Sequence, residues 1–418
     1  MLAAASIATA CSDRDSASDI DALAQEYVHL GLSYAKIEPD ALDFYFGPDD
    51  LAPLDGEPDR GREALFAELN ALRARLAAVP ATARSENLTN RVDSLIAIIG
   101  ASRADKDTTF TEQTQRLYGI TAIAPEGSSV QTARERLDGL LPGSGSLAER
   151  VDDYASGFVV AEDRRKAVFE RALEECQMRT RANWSLPVNE ELEVEWTDEV
   201  PAAWHFYRGD GHSVLQVNPQ AVADIGSALD VACHEAYPGH HAQFLLQANA
   251  GGFAPEDMLV FTRSPEQLLR EGAGQYGVDL AFPLAERTAF LRDELFPIAG
   301  FDPGEAERFA RVHVARQAVG AATAPILAKY LDGRMTGFAA EQALVNEALI
   351  SSPAALLGYA RRYGAYVLGY SVAREAVAAC VDARTAGHSA AEEARWHALY
   401  EIVASNDLAA LHGEACQD

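Results

Sequence analysis

Residues 234–241 read His-Glu-Ala-Tyr-Pro-Gly-His-His, which puts three of the chain's ten histidines and a glutamate into eight positions. Imidazole nitrogens and carboxylate oxygens are common ligands of a divalent cation, and a carboxylate beside them can move protons. Helical zinc hydrolases use His-Glu-x-x-His, with both imidazoles on one helix face. In this chain Pro238 stands where the second histidine would fall. On an unbroken helix His234 and His240 point about 120° apart, and His234 and His241 are separated by about 10.5 Å along the axis, so neither pair shares an ion. Pro238 and Gly239 offer a way out. Proline removes the amide that would bond back to His234 and clashes with its carbonyl, while glycine accepts the turn that results. The spacing therefore predicts a bulge or break that carries His240 into the place of the missing ligand, with His241 as its competitor.

The octet, followed by Ala242-Gln243, resembles the signature of the bacterial "domain of unknown function 885" family, whose members resemble helical zinc metallopeptidases of the gluzincin type. Leu269-Arg270-Glu271-Gly272-Ala273-Gly274-Gln275-Tyr276 is similar to that family's Glu-Gly-Trp-Ala-Leu-Tyr segment, with Ala273 in place of the tryptophan and Gln275 in place of the leucine. Gly369-Tyr370 resembles part of a C-terminal tyrosine-containing helix. The likeness runs from about Trp204 to the C-terminus, in a chain shorter than is usual for the family. It implies a mainly α-helical, metallopeptidase-like domain, a zinc ion, and hydrolysis of a peptide or related amide bond.

A catalytic zinc takes three protein ligands and keeps a position open for water. His234 and His240 are expected to supply two. Glu271, early in a helix that Ser264-Pro265 caps, is expected to supply the third. Glu235 is placed to take the water's proton and pass it to the leaving amine. Tyr370 is expected to donate to an oxyanion, with Tyr363 and Tyr366 as rivals on the same helix. His241 and Arg374 are expected to contact substrate. His205 and His212 read as surface or internally satisfied residues, and Cys233, about 100° around the helix from His234, as packing.

Most of the chain has helical period. Leu65, Leu69, Leu72, Leu76 and Val79 form one apolar stripe, and Val92, Leu95, Ile96 and Ile99 another. Ser146 with Glu149, Ser264 with Gln267, and Asp302 with Glu305 have the spacing of helix caps. Trp204–Asn218 reads as a β-hairpin around Arg208-Gly209-Asp210-Gly211. Ser213–Val217 is expected to lie beside the motif helix as an edge strand that an extended peptide could join. Asn218-Pro219 and Ser227 are expected to start helices. Residues 125–129 and 142–146 read as loops. The expected organisation is a signal or lipobox segment and linker over 1–20, a helical region over 21–200, and a metal-site helical region over 201–418, the last two forming one domain.

The formal net charge of −28 argues against nucleic acid and anionic lipid surfaces as partners. The opening Met1–Cys11 stretch, small and apolar and followed by polar Ser12–Asp19, resembles a lipobox, with Ala8 where leucine is usual and no preceding lysine or arginine. It implies a lipid anchor at Cys11 and a place in the cell envelope; a cytoplasmic protein with an apolar end is the alternative. Cys176, Cys233, Cys380 and Cys416 lack C-x-x-C pairing and are expected as buried thiols, with pairing of some of them as the alternative in an exported protein. No Gly-x-Ser-x-Gly elbow and no phosphate-binding Gly-x-x-x-x-Gly-Lys loop occurs. The reading is a zinc-dependent hydrolase acting on a peptide or small amide, with a non-catalytic metal-containing lipoprotein as its rival.

Overall fold

The computed structural model describes residues 5–53, 60–103, 109–120, 127–200, 202–388 and 391–416, without the side chains of 5–18, 101–103, 127–128 and 414–415. The lipobox cysteine, Cys11, thus lies outside the described side chains. Helices dominate, as the apolar spacing predicts. No helix among the described residues is long and apolar enough to cross a membrane. The chain divides into two compact units, Met1–Tyr118 with Phe253–Gln267, and Gly119–Gly252 with Leu268–Asp418. The boundary expected near residue 200 falls inside the second of these.

The described strands are β1 (Leu42–Tyr45), β2 (Glu191–Trp196), β3 (Ala203–Gly209), β4 (His212–Val217) and β5 (Leu259–Phe261). In the first unit the predicted stripes become core: Leu65, Leu69, Leu72 and Leu76 are buried on helix Arg62–Leu76, and Val92, Leu95 and Ile99 on helix Ala83–Arg103. Both helices pack on helix Ala5–Ile37, and β1 pairs antiparallel with β5.

In the second unit β3 and β4 form the expected hairpin. Its two-residue turn, Asp210-Gly211, has positive φ at both positions, which matches the twist of the strands it joins. β2 then pairs parallel with the far side of β4, giving the order β2-β4-β3. This corrects the edge-strand expectation: Ser213–Val217 is central, with Leu215 buried, and the edges are β2 and β3. β2 is hard to recognise because Glu191, Glu193 and Glu195 are exposed while Leu192, Val194 and Trp196 turn inward. The edge strand bordering the motif is β3, whose His205 and Tyr207 stack on Phe244 at centroid distances of 5.7 and 5.2 Å.

Helix starts follow the cap chemistry with two exceptions. Ser146 and Glu149 cap reciprocally, and Ser264 Oγ accepts from the Gln267 amide. Asn218-Pro219 begins only a turn. The helix leading into the motif starts at Ile225, where Asp224 accepts from the Ser227 amide at 2.9 Å, so Ser227 sits inside the helix and Asp224 is the cap. Of the loop expected over 125–129, residues 125 and 126 lie outside the described set and 127–129 instead open helix Gly127–Leu140, whereas 142–146 form the expected loop.

The expected thiols are instead paired, Cys176 with Cys233 and Cys380 with Cys416. The reason is visible in the helix geometry. Cys233 does point away from the ligand face, but what it meets there is helix Glu162–Asn183, which presents Cys176.

Candidate metal centre

The motif breaks where proline and glycine predict. Helix Ile225–Glu235 ends one residue after His234, and a new helix, His240–Gly251, starts at His240. Between them Tyr237-Pro238 is cis. The Gly239 amide donates to the Cys233 carbonyl at 3.1 Å, and the Ala242 amide to the Ala236 carbonyl at 2.9 Å. A Cβ at 239 would fall 1.6 Å from the His234 carbonyl oxygen, so only glycine allows this approach. The outcome is that the His234 and His240 rings meet edge to face, 4.7 Å between centroids.

Helix Pro265–Ala281 brings in the carboxylate. Glu271 places Oε2 3.3 Å from His234 Nε2 and Oε1 3.3 Å from His240 Nε2. One ligand atom from each residue lies within 4.8 Å of the others, and all three residues are buried. The helix comes close because it is small where it touches the motif: a Cβ at Gly274 would sit 2.9 Å from His234 Nδ1, and one at Gly277 2.8 Å from Pro238 Cγ. Gly369 clears the other side of Glu271, where a Cβ would meet the glutamate Cβ at 2.7 Å.

This donor set fits a divalent cation. Each imidazole Nε2 lies 3.3 Å from one carboxylate oxygen, Oε2 for His234 and Oε1 for His240, near the edge of about 3.3 Å in a tetrahedron with metal–nitrogen lengths of about 2.0–2.1 Å. Glu271 Oε2 and His234 Nδ1 are buried without hydrogen-bond partners, and a buried carboxylate oxygen left in that state is unfavourable unless something positive occupies the space it faces. Burial pushes the Glu271 carboxyl up, but the charge of His240 and the contact with His234 hold it well below the ordinary carboxylate range. Glu235 behaves in the opposite way. Burial raises its carboxyl above the ordinary value, with His240 and His234 opposing and Glu271 reinforcing.

Two of the candidate tyrosines lie beside this cluster, with different partners. Tyr366, buried, donates from its hydroxyl to Glu271 Oε1 at 2.6 Å. Tyr370 leaves 42 % of its surface exposed, its ring 6.3 Å from that of His234. Its hydroxyl pairs with that of Tyr359 at 3.2 Å. Burial, then the charge of Glu271, the contact with Tyr359 and the charge of Glu235, keep the phenol protonated far above its ordinary value.

Two expected substrate contacts are placed elsewhere. Arg374 is committed to Asp279, at 2.9 Å from Nε and 2.5 Å from Nη2, and to Glu375, which leaves no fork to grip a substrate carboxylate. His241 is fully buried, with Nε2 2.9 Å from Glu190 Oε2 and Nδ1 2.7 Å from Ser213 Oγ. It neither joins the ligand triangle nor faces solvent. His205, expected as an internally satisfied or surface residue, is buried with Nε2 2.8 Å from the same Ser213 oxygen. Burial first, then the charges of His240, His241 and Arg270, hold its ring neutral. His212 is exposed beside Glu191. Glu190 escapes sequence reasoning because an acid in an acidic segment carries no mark of burial. Its side chain is 3 % exposed, and although burial works against its charge, His241, Tyr237 and Arg181 bring it down to about 2.

No family model matches the chain, and no curated protein matches it. Among solved structures the fold is similar to that of a protein described as a lipoprotein from Colwellia psychrerythraea, with a TM-score of 0.51 at 14 % identity over 85 % of this chain and 69 % of that one. A lipoprotein of unknown function from Shewanella oneidensis aligns with a TM-score of 0.46 at 14 % identity over 82 % of this chain and 72 % of that one. Metallocarboxypeptidase 1 of Trypanosoma cruzi aligns more loosely, with a TM-score of 0.34 at 11 % identity over 96 % and 93 % of the two chains. At 14 % identity the likeness to the Colwellia protein is one of fold.

Proposed function

We propose that the chain is a zinc-dependent hydrolase of peptide or related amide bonds, held in the cell envelope by a lipid at Cys11. The observation that carries the chemistry is the convergence of His234, His240 and Glu271, buried and within ligand distance of one another, beside the half-buried acid Glu235. When bound, the ion supplies Lewis acidity toward a carbonyl oxygen and makes a neighbouring water more acidic.

The rest is the work of side chains. Glu235, its proton affinity raised by burial, takes a proton from the attacking water and returns it to the departing nitrogen. Tyr370, kept protonated, donates a hydrogen bond to the oxygen that gains charge in the tetrahedral intermediate. Tyr366 holds the Glu271 carboxylate in one orientation. The edge of β3 offers main-chain groups to an extended substrate, the role first expected of β4.

Two disulfides agree with an oxidising compartment, and the Colwellia protein of similar fold is described as a lipoprotein. Incorporation of labelled palmitate at Cys11 tests the anchor. For the activity, Glu235→Gln is expected to bind zinc with wild-type stoichiometry and to lose chelator-sensitive cleavage across peptide and amide libraries. Full turnover in that variant removes the mechanism; stoichiometric zinc with no turnover in the wild type favours a metal-containing binding protein instead.

A further inference from the structure

We propose that the ligand turn is splinted at both ends to helix Glu162–Asn183, and that Cys176–Cys233 and Glu190–His241 are positioning pairs that set metal affinity without touching the ion. The inference rests on the reading of His234, His240 and Glu271 as metal ligands. Its physical starting point is that residues 236–239 break the helix, so the ladder of backbone bonds that would fix the angle between the two histidines is interrupted there. Something outside the turn must supply that rigidity.

At the first end, Cys233 immediately precedes His234 and is bonded to Cys176 on helix Glu162–Asn183. The Cys233 carbonyl also accepts the Gly239 amide, so the covalently pinned residue is the one that closes the turn. At the other end, His241 immediately follows His240, and both of its ring nitrogens are engaged, by Glu190 and by Ser213 of β4. Glu190 is tied back to the same helix through Gln177 at 3.0 Å and Arg181 at 2.5 Å. Tyr237, in the middle of the turn, donates to Glu190 at 2.8 Å and accepts from Gln177 at 3.0 Å. Cys176, Gln177 and Arg181 thus hold the start, middle and end of the segment that carries both imidazoles.

The Ser213, His241 and Glu190 sequence has the residue types of a nucleophilic triad, but its packing denies that role. Ser213 is 2 % exposed and its oxygen also meets His205, which leaves no approach for a substrate. The cluster is a brace. Groups that orient metal ligands from behind change affinity by about 10–100-fold when removed.

The test uses the full chain and Zn2+ alone, by competition with a fluorescent chelator, alongside far-UV circular dichroism and the visible bands of the Co2+-substituted protein, which report ligand geometry. Glu190→Gln and, separately, the Cys176→Ala/Cys233→Ala pair are each expected to weaken zinc binding by about 10–100-fold and to shift the Co2+ bands while the helical signal is retained. In a Cys380→Ser/Cys416→Ser background, reduction by a dithiol is expected to weaken binding and reoxidation to restore it. There the reductant donates two electrons and two protons to the sulfur–sulfur bond, giving two cysteine thiols and its own cyclic disulfide. Wild-type affinity and unshifted Co2+ bands in either folded variant remove that anchor from the proposal, and in both they overturn it. A wild-type chain that binds no zinc overturns the metal reading beneath it, a different and separable failure.

Discussion

The Tyr366 hydroxyl donates to Oε1 of Glu271 at 2.6 Å, fixing the orientation of the carboxylate that faces His234 and His240. Tyr370, four residues on, carries its hydroxyl beside Tyr359 and within the field of Glu235 and Glu271. On the proposed reading, Tyr366 orients a metal ligand and Tyr370 serves the reacting group. Tyr366→Phe is expected to weaken zinc binding by about tenfold. Tyr370→Phe is expected to leave it unchanged and to lower kcat by about 10²-fold. Chelator competition and steady-state kinetics on the two variants check this assignment; an inverted pattern exchanges their roles.

Gly274 makes a second, steric prediction. An alanine there would press its methyl to 2.9 Å from His234 Nδ1, closer than carbon and nitrogen tolerate, and the neighbour that has to yield is a ring already packed against His240. Gly274→Ala is expected to destabilise the fold by about 1–3 kcal/mol and to weaken zinc binding together with it. Urea titration and metal competition measure both. A variant as stable and as tight-binding as the wild type contradicts the packing described.

Glu190 gives a pH dependence whose sign is fixed. Its folded value, about 2, lies below the ordinary 4.5, so its charged contacts contribute fully above pH 4.5 and are lost as pH falls toward 2. Thermal melts of Glu190→Gln are expected to show the largest deficit in Tm near pH 6, narrowing by pH 3. A deficit that stays constant across that range means the charge of Glu190 is not what stabilises the network.

Arg374 offers a contrast. Its partners Asp279 and Glu375 are part of the protein and its side chain is about one-third exposed, so Arg374→Ala is expected to destabilise by less than about 1 kcal/mol and to leave KM unchanged. A tenfold rise in KM would restore it as a substrate contact.

The features legible in the sequence were those with a local cause. Apolar stripes at Leu65–Leu76 and Val92–Ile99, the Asp210-Gly211 hairpin, and the break at Pro238-Gly239 each follow from residues within one or two turns of each other. So does the meeting of His234 with His240. Glu271 was reachable through a resemblance and a helix cap. What stayed hidden depends on partners far apart in the chain. Cys176 meets Cys233 across 57 residues, β2 joins β4 with alternating glutamates that disguise a strand, and Glu190 is buried only because Arg181, Gln177, Tyr237 and His241 surround it. That Tyr366 rather than Tyr370 reaches Glu271 depends on the tight turns of Gly364–Tyr370.

The most direct measurement is anomalous diffraction at the zinc edge from crystals of protein never exposed to chelator. One peak is expected, bounded by Nε2 of His234, Nε2 of His240 and the Glu271 carboxylate, with Glu235 beside it and His241 outside. Crystals that scatter no metal there, or a peak on any other set of side chains, would contradict the account.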